Sequence, residues 1–251
     1  MIEVHALHKT YETHQAVIDL SFTVSPGEVL GLVGPNGAGK TTTMRCITGI
    51  LQPSSGHIVV AGADVVQDPV AAKRNLAFIP DEPHLFDYLT IHEHMQFYAR
   101  VYNVADRDAR ASALVSEMEL TEKLHALPGT LSRGMKQKVA IACGLLHSPK
   151  LVLFDEPLTG LDPIAIRRIK QTIKRLAAAG SAIIISSHLL GLVEEIATTV
   201  LLMQNGRKVL HGTLAQIRES APDLREKGLE EIFLRATGYE NDANATRETQ
   251  P

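Results

Sequence analysis

The sequence predicts an α/β fold, a mixed, parallel-rich sheet with an antiparallel β subdomain and an inserted helical subdomain. Three observations point there. The first sixty residues alternate apolar with polar side chains, the pattern of half-buried strands. From Leu85 to about His147 the texture changes to helical spacing, with few glycines and several apolar i, i+3, i+4 sets. After Pro149 short apolar runs return, "LVLFD" and then "SAIIISS", as buried strands of a parallel-rich core require.

Taken in chain order, "IEVHAL" and "HQAVIDLSFTV" are strands, and "SPGE" (25–28) is a turn before a further strand, "VLGLVG". "GHIVVAGADV" is a strand pair broken at Gly62. A helix is expected from Pro163 to Ala179, with Ile166, Ile169, Ile173 and Leu176 on one face. "TVLLMQNGRKVLHG" is a hairpin about Asn205-Gly206. Residues 229–236 suit one last short amphipathic helix, and the polar tail from Gly238 is expected to be disordered.

Composition narrows the function. A net charge of −3 argues against a nucleic-acid binder held by bulk electrostatics. No apolar run approaches the roughly 20 residues of a membrane helix. "MIEVHALHKT" carries Glu3 early and lacks the apolar stretch of a secretory signal. Cys46 and Cys143 both sit in apolar helical patterns and are expected as buried thiols in a reducing compartment. The expectation is a soluble, cytoplasmic chain.

The chemistry starts at "GPNGAGKT", Gly34 to Thr41, which matches G-x-x-x-x-G-K-[ST] in full. It follows the strand "EVLGLV" and precedes the helix "TTTMRCITGI", so the motif stands in its confirming context. The glycines let successive backbone N–H groups turn inward on an anion, and the helix that follows adds the favourable end of its dipole. In this motif Lys40 reaches the β- and γ-phosphates, and the Thr41 hydroxyl ligates Mg²⁺. Second, "LVLFDE" (151–156) ends an apolar strand in Asp155 and Glu156. Such a strand end lies where α/β folds place ligands. Asp155 suits Mg²⁺ through its water shell, and Glu156 suits a general base for water.

"LSRGMKQKVAIA", Leu131 to Ala142, has two readings. It is either the basic, solvated start of an ordinary amphipathic helix, or a helix N-terminus whose free N–H groups at Ser132 and Gly134 grip a phosphate. The order of its neighbours decides. A P-loop, then "LSRGM", "LVLFDEP", "LTGLD" and "SSH", resembles the nucleotide-binding subunit of an ATP-binding cassette (ABC) transporter from about residue 1 to 220. That resemblance implies a P-loop NTPase core as an ATPase domain over 1–220, with the helical subdomain inserted at approximately 85–148. A short helix and tail would follow over 221–251.

The resemblance also implies roles. ATP would be held by Gly34, Pro35, Asn36, Gly37, Ala38, Gly39, Lys40, Thr41 and Thr42, with Tyr11 stacking on adenine. Ser132, Arg133, Gly134 and Met135 would contact the γ-phosphate of ATP bound to a second subunit, a homodimer being expected. Glu156 and the switch histidine His188 would be catalytic, Mg²⁺ would lie near Thr41 and Asp155, and Asp162 would belong to the loop at the dimer interface.

Two positions depart from the family pattern. Arg133 replaces a glycine, placing a cation near a helix N-terminus, which is unfavourable unless it points outward or towards a phosphate. Asp81, in "LAFIPDEPHLF", replaces the glutamine that normally contacts the metal or the water. Two readings of Asp81 stand: an anion reaching the metal through a water, or a turn Pro80-Asp81-Glu82-Pro83 with both acids solvated.

The resemblance further implies a separate transmembrane permease, no nucleic-acid partner, and a peripheral position on the inner face of the cell membrane. "FIPDEPHLFDYLTIHEHM" and "SSHLLGLVEEI" resemble the drug, antibiotic and polysaccharide exporter branch. The rival reading is a non-transport cassette ATPase acting on DNA or ribosomes. Such proteins carry paired cassettes, long coiled coils or zinc cysteines, which this compact chain does not display. His92 and His94 stand two apart on one helix, face different directions and are expected to be structural.

Overall fold

The structure, a computed structural model, describes residues 1–158, 161–187, 189–220 and 228–237. Strands β1 (Ile2–Tyr11), β2 (His14–Val24), β4 (Ser55–Val60) and β5 (Ala63–Asp64) form an antiparallel sheet in the order β2-β1-β4-β5. The second sheet has six strands: β3 (Val29–Val33), β6 (Leu76–Ile79), β7 (Leu151–Asp155), β8 (Ala182–Ser186), β9 (Thr199–Gln204) and β10 (Arg207–Gly212). Its order is β10-β9-β3-β8-β7-β6, all parallel except the β9–β10 hairpin. That is the mixed, parallel-rich arrangement the patterning predicts.

Both faces of the larger sheet are covered, which is why its central strands are continuous apolar runs. Alternate residues go to opposite cores. Leu151 and Leu153 of β7, Ala182 and Ile184 of β8, and Leu201 and Met203 of β9 pack with Ile2, Val4, Leu20, Phe22 and Ile58 of the antiparallel sheet. Val152 and Phe154 of β7 and Ile183 and Ile185 of β8 pack with Met95, Val115, Val139, Ile141 and Ile173 from helices on the other face. Burying one such side chain fully is worth about 1.5–3 kcal/mol.

Those helices are α3 (Ile91–Val101), α4 (Arg107–Glu117) and α5 (Arg133–Leu145), all between β6 and β7 in the chain, together with α6 (Pro163–Ala178). The start of α3 is fixed by a capping box: Glu93 N–H donates to Thr90 Oγ1, and Thr90 N–H donates to Glu93 Oε2. On α6 the buried face is Ala165, Ile169, Thr172 and Ile173, with Ile166 and Leu176 half-buried against the same core. Helix α1 (Lys40–Ile47) packs Met44, Cys46 and Ile47 between the two sheets. Three short helices went unread in the sequence: α2 (Pro69–Arg74), α7 (Leu190–Ile196) and α8 (Leu214–Ser220). A final helix, α9 (Leu229–Thr237), falls where expected, whereas the tail from Gly238 lies outside the described residues. Cys46 and Cys143 are buried and unbridged. No helix among the described residues is long and apolar enough to cross a membrane.

Candidate active site

The loop from Gly34 to Gly39 joins β3 to α1 at the carboxyl end of the parallel strands. Its shape depends on residues without a side chain. Gly39, the N-cap of α1, has φ 99°, and a Cβ there would stand 2.4 Å from the Ala16 carbonyl oxygen. A Cβ on Gly34 would meet the Met203 carbonyl oxygen at 2.3 Å. The loop is thus pressed against β9 and β2, with Asn36 and Gly37 exposed and Ala38 buried beneath. The N-terminus of α1 has no side-chain cap and no acidic residue in its first turn. Its positive end is left to an anion.

Lys40 is buried and donates to the Gly34 carbonyl at 2.7 Å and to that of Pro35 at 3.1 Å. Burial pulls its pKa below the ordinary lysine value, opposed by the carboxylates of Glu156 and Asp155. A cation held in a desolvated loop, with partial compensation only, is primed for phosphate.

Asp155 ends β7 with 6% of its surface exposed. Across the parallel ladder it is in register with Ser186, whose hydroxyl donates to Asp155 Oδ1 at 2.5 Å. Thr41 Oγ1 lies 3.4 Å from the same carboxylate oxygen. Glu156 follows in the left-handed region, φ 47°, its N–H donating to Ser186 Oγ at 3.1 Å and to the Ser186 carbonyl at 3.2 Å. Ser186 therefore fixes both acids at once. Sequence reasoning missed it; the signal was a serine at the same register in the neighbouring buried run. Thr41, Asp155, Glu156 and Asp81 line one open cavity of about 640 Å³.

Asp81, two residues past β6, is half-exposed and ion-paired. It accepts from Arg133 Nη2 at 2.7 Å. One turn along α5, Gln137 donates to the Pro80 carbonyl at 3.4 Å. The two departures from the family pattern thus meet each other. Ser132 is the N-cap of α5, its hydroxyl accepting from Met135 N–H at 3.3 Å. Ser132 and Arg133 are exposed, Gly134 and Met135 half-buried. None of these four lines the cavity at the P-loop.

Tyr11 closes β1 as an exposed residue (41%), the Lys9 ammonium lying 5.1 Å from the ring centroid. Asp162 is the N-cap of α6; the N–H groups of Ala165 and Ile164 donate to it and hold its carboxyl below the usual aspartate value. His188 lies outside the described residues. His94 is buried: its Nε2 accepts from Phe86 N–H at 2.9 Å, which leaves Nδ1 to donate to the Thr90 carbonyl at 2.8 Å. That is the structural role expected for it.

A profile of the family described as ABC transporter matches residues 17–159. The chain belongs to the ABC transporter family. Among relatives, it is 36% identical over 223 residues to the SkfA peptide export ATP-binding protein SkfE of Bacillus subtilis (strain 168), covering 88% of this chain and 92% of that one. Among solved structures, it is similar to an ATP binding subunit of an ABC transporter, with TM-score 0.90, 35% identity, and coverage of 94% of this chain and 99% of the other. The ATP-binding cassette MJ0796, in a dimeric post-hydrolysis state bound to ADP and Pi, shares the fold at TM-score 0.78 and 23% identity, over 85% of this chain and 99% of that one. As an ABC transporter ATPase, the chain binds and hydrolyses ATP to drive a membrane transporter, and the reading as a soluble nucleic-acid or ribosomal machine falls away.

Proposed function

We propose that two copies of this chain sandwich two ATP molecules. Each site combines the P-loop of one copy (Gly34 to Thr42) with Ser132, Arg133, Gly134 and Met135 of the other. The observation that carries this reading is a division of labour. Thr41 at the end of the P-loop shares one cavity with Asp155 and Glu156, while the exposed N-terminus of α5, where Ser132 caps the N–H of Met135, stands outside it and suits a phosphate from elsewhere. That the cassette MJ0796, which shares this fold, is dimeric with ADP and Pi bound is consistent with a paired arrangement.

Within each site, Lys40 and the loop N–H groups hold the phosphates, Tyr11 stacks on adenine through its exposed ring, and Glu156 takes the proton of the attacking water. Thr41 and Asp155 suit Mg²⁺, because a hydroxyl and a carboxylate 3.4 Å apart supply the hard oxygen ligands that ion prefers. When bound, the ion would offset the negative charge of the phosphates as the terminal phosphoryl group passes to water. Asp81 borders the same cavity and would act on the metal through a water. Asp162 caps α6 at the surface that meets the second copy, and His188 completes the γ-phosphate contact.

The 85–148 subdomain, between β6 and β7, engages a separate transmembrane permease. The transporter works as an exporter, consistent with the peptide export role in SkfE's name. The chain then sits peripherally on the inner face of the membrane, with no nucleic-acid partner. The test is Glu156→Gln. With ATP it should run as a dimer on sizing chromatography and turn over no ATP. Monomer alone at saturating ATP would refute the sandwich.

A further inference from the structure

Arg133 lies at the first turn of α5, where the helix N-terminus disfavours a cation. In this chain the charge is neutralised by Asp81, 52 residues earlier, at 2.7 Å. The pair is built rather than accidental. Gln137, four residues along α5 and so on the same helix face, donates to the carbonyl of Pro80, the residue before Asp81. Further along, Gly144 packs closely on Ala77 and Ile79 of β6. Helix α5 therefore lies along β6, with Arg133 and Asp81 at its nucleotide end.

Asp81 also borders the cavity that holds Thr41, Asp155 and Glu156. β6 and β7 are in parallel register, Ile79 beside Phe154, so Asp81 and Glu156 each follow two residues past the last pair of the ladder, and both line this cavity. The ion pair thus spans the chain's own nucleotide cavity and the surface it offers to another copy's nucleotide. At 47% and 43% side-chain exposure it is weakly held. A triphosphate is the stronger acceptor for a guanidinium, being more highly charged and open to bidentate contact.

We propose that Asp81 is the resting counter-ion of Arg133, and that Arg133 leaves it for the triphosphate on a facing copy as the pair of subunits closes. In the separated subunit Asp81 holds Arg133 back. In the closed assembly Arg133 binds phosphate, and Asp81 is released beside its own site. Arg133 is then a nucleotide-contact residue, and Asp81 positions it. The inference rests on the sandwich reading above.

The test uses the full chain in a Glu156→Gln background, with dimer formation followed by light scattering against ATP concentration. Asp81→Asn should lower the ATP concentration for half-dimerisation several-fold, because Arg133 no longer has to be withdrawn. Arg133→Gln should raise it several-fold, and the double variant should match Arg133→Gln alone. Asp81→Glu, which keeps the charge, should behave like the parent. The swapped pair Asp81→Arg with Arg133→Asp separates this role from a structural one, since a merely structural pair would be rescued, whereas the switch predicts dimerisation no better than Arg133→Gln. A midpoint unmoved or raised by Asp81→Asn in a parent that does dimerise would overturn the switch alone. Absence of any ATP-dependent dimer in the parent would overturn the sandwich and the switch together.

Discussion

Ser186 Oγ donates to Asp155 Oδ1 at 2.5 Å, and the same hydroxyl accepts the N–H of Glu156. One fully buried serine thereby orients the acid suited to the metal and the backbone of the acid suited to water. Ser186→Ala removes the donor without adding bulk. A hydrogen bond to a charged group is worth about 1.5–3 kcal/mol, so kcat should fall by roughly tenfold or more. Nucleotide affinity measured without Mg²⁺ should change little. A Mg²⁺ titration of ATPase activity checks this, and an unchanged half-saturation with unchanged kcat would contradict it.

Lys40 gives the stability curve a defined sign. Its folded pKa lies below the ordinary value of 10.5, mainly because it is buried. Between that lowered value and 10.5 the unfolded chain binds more protons, so the lysine's contribution to stability improves as pH rises through this window. Thermal melts from pH 7 to 10 should show wild type gaining on Lys40→Met with increasing pH. At neutral pH the variant should also lose the rise in Tm that ATP gives to wild type.

Gly39→Ala combines a left-handed backbone with a Cβ 2.4 Å from the Ala16 carbonyl. No flexible side-chain end is available to yield. We expect a loss of more than about 1 kcal/mol in denaturant unfolding, and nucleotide binding weakened at least tenfold by calorimetry. Gly37→Ala is the matched control, since its Cβ would meet nothing within 4 Å, although its φ of 80° carries some strain.

Asp162→Ala tests the cap on α6. Because the N–H groups of Ala165 and Ile164 hold the folded pKa below 3.8, the carboxylate stabilises the fold above the unfolded value and loses that effect as pH falls through the folded one. Wild type should melt above the variant at pH 7, and the gap should close in acid. Asp162→Asn, which keeps an acceptor, should recover much of the difference.

The P-loop was legible because its residues are consecutive: turn, cation and hydroxyl occupy Gly34 to Thr41. The central strands were legible because burial on two faces demands unbroken apolar runs. Ser186 was not, since its partnership with Asp155 arises from the register between two strands 31 residues apart. Arg133 and Asp81 were each visible as exceptions, and only the packing of α5 along β6 makes them one feature. Helix α2 escaped notice although Asp68 and Pro69 mark its start, because six residues hold too little periodicity.

The position of β6 at the margin of the six-stranded sheet has a mechanical consequence. It is bonded to β7 on one side only, so shifting it severs one ladder where shifting β7 would sever two. The strand that delivers Asp81 to the nucleotide is therefore softer than the strand that delivers Asp155. Deuterium uptake should reach the amides of 76–79 sooner than those of 151–155, and force arriving through α5 would be spent on the compliant border, leaving the two acids at the end of β7 undisturbed.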